Sequence, residues 1–186
     1  MIQQPHEAVG KSLLQLRPLT LADERSFMEA VEEFRLENTQ FEFALGYGDS
    51  ASFADYVARV ESWPRGENLR PRFVPSAFYV GVVDDEVVGR LSLRYHLNEF
   101  LSKIGGHIGF GVRPSRRRRG YAVEMLGQAL PICASIGIEK ALITCDADNI
   151  RSRKVIERCG GIFEGMSCEP GLKVQVRRYW IETSKL

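Results

Sequence analysis

Several things are scarce in this chain, and each scarcity removes a class of function. No apolar stretch approaches the ~18 residues of a membrane-spanning helix, so no span is expected. Charge of one sign is missing too. The 25 Lys and Arg against 24 Asp and Glu leave a formal net charge of +1, whereas a duplex-DNA binder usually carries a clear basic surplus. The cysteines (Cys133, Cys145, Cys159 and Cys168) have no close Cys-x-x-Cys spacing. Buried free thiols and a reducing cytoplasm suit that pattern. Asp146 and Asp148 stand in no matching ligand cluster, so no metal is expected. The stretch Met1 to Glu7 lacks a basic start followed by an apolar block, so no secretory signal is expected. Internal repeats are absent, and the sole biased segment is a run of arginines.

What is present reads as an ordinary globular composition. The 186 residues are 44% hydrophobic and 26% charged, enough for a substantial core and, by length, one domain. Residues 1–10 are polar and read as a flexible N-terminus, with 11–186 as the domain. Leu13 to Arg17 alternates weakly as a strand, ended by Pro18. Thr20 is placed to cap a helix with apolar positions at Leu21, Phe27, Met28, Val31 and Phe34. Residues 38–50 read as a loop, and a second helix runs from Ser50 or Ser52 to about Trp63. The periodicity then changes. Ala77–Val83 and Val87–Tyr95 flank Asp84-Asp85 as an antiparallel hairpin. Leu97–Lys103 is a connector. Gly106–Val112 is a strand whose glycines imply a bulge or a ligand lying against the backbone. A helix over about 119–136 contains Pro131, which should kink it. Ala141–Cys145 is a buried strand, Asn149–Arg158 a short helix, and Ile162–Phe163 and Val174–Ile181 open and close a last strand pair. The order implies an α/β (α+β) fold: a mixed, largely antiparallel sheet of about seven strands with about four flanking helices.

The most informative segment is Gly109-Phe-Gly-Val-Arg-Pro-Ser-Arg-Arg-Arg-Arg-Gly-Tyr-Ala122. It is the end of a buried strand, a proline-set turn, a run of arginines, and a glycine opening a helix. The first N–H groups of a helix have no partner within it, and the helix dipole adds partial positive charge there. Arginine forks suit phosphate oxygens. The segment therefore reads as a pyrophosphate cradle. A basic nucleic-acid patch or a solvated turn fits less well between an apolar strand and an apolar helix.

Arg117-x-x-Gly120-x-Ala122 resembles the signature of the GNAT N-acetyltransferase superfamily. Asp148-Asn149-x-x-Ser152 through Glu157-Arg158-Cys159-Gly160 resembles the second segment of that family. The element order from about Leu13 to Ile181 is similar as well. The resemblance implies acetyl transfer from acetyl-CoA to an amine acceptor, small molecule or protein, and is compatible with a homodimer; the net charge and the lack of a long apolar run leave no nucleic-acid or membrane partner expected. It places the CoA pyrophosphate on Arg117, Arg118, Arg119, Gly120, Tyr121 and Ala122. It places the pantetheine arm along Phe110, Gly111 and Val112, with a backbone N–H of Val112 or Gly111 polarising the thioester oxygen. Asn149 and Ser152 match family contact positions, although Asn149 is equally a helix cap.

Many family members carry a Tyr seven residues after that Asn as general acid. Here the position is Ile156. Tyr121, Tyr179 and Ser152 are the substitutes at hand, and a CoA thiolate can also leave unaided. The candidates for a general base are His107, on the glycine-rich strand, and, less centrally, Glu99 and His96. A structural histidine is an equal reading of His107. The acceptor is expected between the first two helices and the 38–50 loop. There Glu32, Glu33, Glu37, Glu42 and Asp49, beside Phe41, Phe43 and Tyr47, would suit a cationic amine. A non-catalytic acyl-CoA-binding module on the same fold remains the alternative.

Overall fold

The computed structural model describes residues 13–37, 41–168 and 175–184. The expected flexible segment 1–10 lies outside them. Seven strands form a single sheet in the order β1-β2-β3-β4-β5-β7-β6. The strands are β1 (Gln15–Pro18), β2 (Ser76–Val83), β3 (Glu86–Arg94), β4 (Ile108–Val112), β5 (Lys140–Asp146), β6 (Ile162–Cys168) and β7 (Gln175–Glu182). Four α-helices flank them: α1 (Glu24–Glu37), α2 (Phe53–Ser62), α3 (Tyr121–Ser135) and α4 (Ile150–Arg158). Every neighbouring pair is antiparallel except β4 and β5. The mixed, largely antiparallel sheet read from the sequence is the sheet observed.

Each face of the sheet carries its own core. On one, α1 and α2 bury Phe27, Phe34, Tyr56 and Val60 with Trp63 against Phe78 and Val80. On the other, α3 and α4 bury Met125, Leu126, Leu130 and Ile156 against Leu91, Leu93 and Ile143. The β2–β3 hairpin closes through Asp84 and Asp85, whose φ values of 49° and 60° give the doubly left-handed turn that matches strand twist. Ser52 caps α2 by accepting the Asp55 N–H at 3.1 Å. α3 continues through Pro131 to Ser135, so the proline does not end it.

Two expectations needed correction. No bulge interrupts the β3–β4 register from Gly89↔Val112 to Leu93↔Ile108; the irregularities fall at Gly81/Val82 and Phe163/Gly165 instead. The connector before β4 is not plain loop. It contains a π-helical turn, Leu101–Gly105. Side chains from three strands hold that turn by its carbonyls. Arg94 Nη1 donates to Gly105 and Gly106 at 3.0 and 3.1 Å, and Thr144 and Arg178 donate to Ile104 and Ser102. Gly106 ends the turn at φ 62° and ψ −176°.

Candidate functional site

The two parallel strands touch at one register pair, Ile108↔Ile143, and then part. β4 stays paired with β3 along its whole length, so its other edge opens into a cleft. Ladder parity decides which groups face that cleft. Arg94 N–H donates to the His107 carbonyl at 2.8 Å, and Arg113 N–H donates to the Val88 carbonyl at 2.9 Å. Odd-numbered β4 residues therefore bond to β3, and the backbone groups of Phe110 and Val112 point away from it. Gly111, expected to serve the cofactor arm and named beside Val112 for the oxyanion, pairs with Arg90 of β3. Its backbone is committed within the sheet. The Val112 carbonyl accepts from Arg117 Nε at 3.1 Å, which leaves the Val112 N–H facing the cleft.

At the cleft mouth the chain turns into α3. Arg118 (φ 64°) and Gly120 (φ 90°) are both left-handed, a geometry that gathers successive N–H groups into an anion-binding nest. No acceptor among the described residues takes the N–H groups of residues 118–122; the next, on Val123, bonds to the Gly120 carbonyl at 2.9 Å. Unpartnered amides at a helix N-terminus fit a diphosphate.

The arginine run divides in two. Arg117 forms a two-toothed pair with Glu37, and Arg116 pairs with Glu86. Arg113 reaches Glu33 at 2.6 Å and Glu29 at 3.1 Å. Thus α1 presents carboxylates that clamp the turn in place. Arg118 and Arg119 are exposed and have no carboxylate partner among the described residues. Their guanidinium groups are the ones left open to an anion, while that of Arg117 is taken up by Glu37 and the Val112 carbonyl.

Tyr121 packs against the α3-side core, and Ala122 follows it in the first turn of the helix. Asn149 caps α4, its Oδ1 accepting the Ser152 N–H at 3.0 Å. Ile156 is fully buried in the core, so the position where many relatives carry an acid is apolar packing. Tyr179 is buried as well, which pushes its hydroxyl pKa upward.

His107 and Glu99, the candidate bases, are both engaged within the fold. The His107 Nδ1 accepts the Leu142 N–H at 2.9 Å, tying β4 to β5 where they meet. Burial and then the nearby Arg94 push its pKa down to about 4. Its lone pair is occupied and its basicity is low. Glu99 is exposed and bonded to Lys103 at 2.8 Å. A pH effect follows for His107. An unfolded imidazole titrates near ~6.5, above the folded value, so the unfolded chain binds the extra proton. The stability tied to His107 is complete above that pH and is lost as pH falls toward about 4. Chemical denaturation at pH 7 and pH 5 should therefore show wild type losing more stability than His107→Asn. Equal losses would contradict it.

The acidic groups expected to greet a cationic amine are also engaged. Glu32 binds Arg35, Glu33 binds Arg113 and Ser115, and Glu37 binds Arg117. Glu42 accepts the Gly46 N–H at 2.7 Å, and Asp49 binds Arg59 and Arg70. The sequence reading missed what lies on the sheet under that loop, namely Arg90, Ser92 and Arg94. Their alternation within an otherwise apolar strand was the available signal. Two surface hollows, bordered by Asp49, Arg59 and Leu69 and by Ile162, Phe163 and Trp180, lie apart from the cradle. Among the described residues no cluster suits a metal ion, and no helix is long and apolar enough to cross a membrane.

Residues 14–162 match the family model described as an acetyltransferase (GNAT) domain. No curated protein matches the chain. Among solved structures, Mycobacterium smegmatis RimJ in complex with CoA-disulfide is 23% identical, with 93% of this chain and 83% of that one covered at a TM-score of 0.63. An N-acetyltransferase from Staphylococcus aureus Mu50 is 15% identical over 93% and 100% of the two chains, TM-score 0.62. A Salmonella typhimurium acetyl transferase that modifies the N-terminal serine of ribosomal protein L7/L12 is 18% identical over 92% and 96%, TM-score 0.62.

Proposed function

The chain belongs to the GNAT acetyltransferase family, whose cosubstrate is acetyl-CoA, and from that premise we propose that it acetylates a primary amine by direct attack within a ternary complex. One observation carries this reading: the unpartnered amides of residues 118–122 sit at the mouth of the β4–β5 cleft. They would hold the diphosphate, with Arg118 and Arg119 adding charge. Phe110 and Val112 would pair with the pantetheine arm as a further strand does, and Asn149 and Ser152 begin the opposite wall. Bound there, acetyl-CoA supplies an activated thioester carbonyl. The Val112 N–H donates to its oxygen as charge develops.

With His107 bonded to Leu142 and Glu99 to Lys103, water receives the amine proton. The departing sulfur needs no acid, since a thiol of pKa ~8.5 leaves readily as thiolate near neutral pH. The cytoplasm, where acetyl-CoA is made and used, is the proposed location. Direct transfer uses no cysteine nucleophile, and the two buried thiols are unsuited to that role. Burial pushes the Cys133 thiol up to about 12 and Cys145 up to about 11, so neither forms thiolate at neutral pH.

The test is thiol release from acetyl-CoA across a panel of amines, with intact mass recorded during turnover. Amine-dependent release without an acetylated enzyme is expected. An acetyl-cysteine adduct that forms and decays with turnover would overturn direct transfer. The buried Ile156 favours one other reading, a CoA-binding module without catalysis. That reading predicts thermal stabilisation by CoA with no thiol release on any amine.

A further inference from the structure

Arg90, Ser92 and Arg94 line the sheet face under α1 and α2, directly beside β4. Register sets Arg90 opposite Gly111 and Ser92 opposite Gly109. Arg90 is 5% exposed. It donates from Nη1 to Ser92 Oγ at 3.1 Å and from Nη2 to the Glu42 carbonyl at 2.8 Å, and its guanidinium lies 4.2 Å from the Phe41 ring centre. Its buried Nε has no hydrogen-bond partner among the described residues. Arg94 bonds through Nη1 to the carbonyls of Gly105 and Gly106, and no acceptor among the described residues takes its remaining N–H groups. Those donors flank Gly109, where a Cβ would stand 3.5 Å from Arg94 Nη2 and 3.3 Å from Ser92 Oγ.

Neither arginine has a carboxylate partner among the described residues, although the arginines of the neighbouring turn, Arg113, Arg116 and Arg117, all do. Two largely buried cations on one face, unneutralised and repelling each other, are costly. Burial foremost lowers the pKa of each to about 10, with the nearby Arg94 contributing to the shift at Arg90. An anion arriving between them relieves that cost. Phe41 covers Gly111, where a Cβ would stand 2.4 Å from its ring, so the polar approach to β4 on this side is at Gly109, between Ser92 Oγ and Arg94 Nη2.

We propose that the acceptor amine carries a carboxylate, and that Arg94, supported by Ser92 and Arg90, receives that carboxylate beside Gly109. This rests on the acetyl-transfer reading and names the substrate class of the same site. Gly109 lies three positions before Val112, or ~10 Å along the strand. The carboxylate therefore stands several bonds from the reacting amine, as on an acidic residue near a peptide N-terminus, rather than on the α-carbon of a free amino acid.

The experiment compares kcat/KM, with acetyl-CoA saturating, for short peptides bearing Asp or Glu at the second position and for their Asn or Gln counterparts. Free amino acids form a separate arm. Acidic peptides should exceed their amides at least ~10-fold, the discrimination of one charge-assisted pair, with free amino acids below both. Arg94→Gln should bring the ratio near one and Arg94→Lys should keep part of it, while both variants retain wild-type CoA affinity as the sign of a folded cleft. Equal rates for acid and amide in wild type overturn the proposal, whether or not the variants fold. An unchanged ratio in Arg94→Gln with CoA binding intact overturns it too, and free amino acids outrunning peptides overturns the peptide assignment. Absence of transfer to every amine, with CoA still bound, removes the acetyl-transfer reading itself.

Discussion

Gly120→Glu should weaken coenzyme A binding at least ~100-fold, or ~2.8 kcal/mol, in a protein that still folds. Gly120 sits at φ +90°, and a Cβ there meets nothing nearer than Glu124 Oε1 at 3.7 Å. An L side chain in that conformation costs ~1–2 kcal/mol, but it displaces no core atom. α3 remains anchored by Met125, Leu126, Ala129 and Leu130, each 1% exposed or less. What changes is the nest. A carboxylate placed among the unpartnered amides of residues 118–122 competes for them and repels a diphosphate. Gly120→Ala carries the strain without the charge and should retain most of the affinity. Calorimetric titration with CoA separates the two. A folded Gly120→Glu variant with wild-type affinity would remove the cradle assignment.

Gly106→Ala should produce the largest loss of stability of the changes considered, at least ~3 kcal/mol, read as a fall in Tm of ~6–12 °C. Two causes add. At φ 62° and ψ −176° the backbone lies in a region essentially reserved for glycine. A Cβ there would also stand 2.5 Å from the Leu142 carbonyl oxygen and 3.1 Å from its carbon. Those atoms are the backbone of β5, and that oxygen also accepts the His107 N–H at 2.7 Å. Neither strand can yield without breaking the joint from which the cleft opens. Gly137→Ala is the control: φ is +83° but nothing lies within 4 Å, so it should show the strain alone. A Gly106→Ala protein melting within ~2 °C of wild type would contradict the assignment of this joint as rigid.

Local chemistry was legible in the sequence wherever its cause was local. Asp84-Asp85 between two apolar runs marked the hairpin, the start of α2 was narrowed to Ser50 or Ser52, of which Ser52 is the cap, and Asn149 stood at the α4 cap. The turn that gathers free amides at the start of α3 was legible because Arg117, Gly120 and Ala122 are neighbours in the chain. The division of labour among the arginines was not, since Glu33 and Glu37 lie 80 positions from Arg113 and Arg117. The fate of His107 was hidden for the same reason. Its partner, the Leu142 N–H, is 35 residues away, and it joins β4 only once the sheet exists. Gly111 looked as available as Val112 until the β3 register assigned its backbone to Arg90. The π-turn has no periodic signature in five residues; it is defined by Arg94, Thr144 and Arg178 reaching its carbonyls from other strands.

The most direct test of the account is a crystal structure of this protein grown with acetyl-CoA. Diphosphate oxygens are expected within hydrogen-bond reach of the amides of residues 118–122, with the pantetheine amides paired with Phe110 and Val112 between β4 and β5. A cofactor bound elsewhere, or β4 and β5 closed on each other with acetyl-CoA in excess, would contradict it.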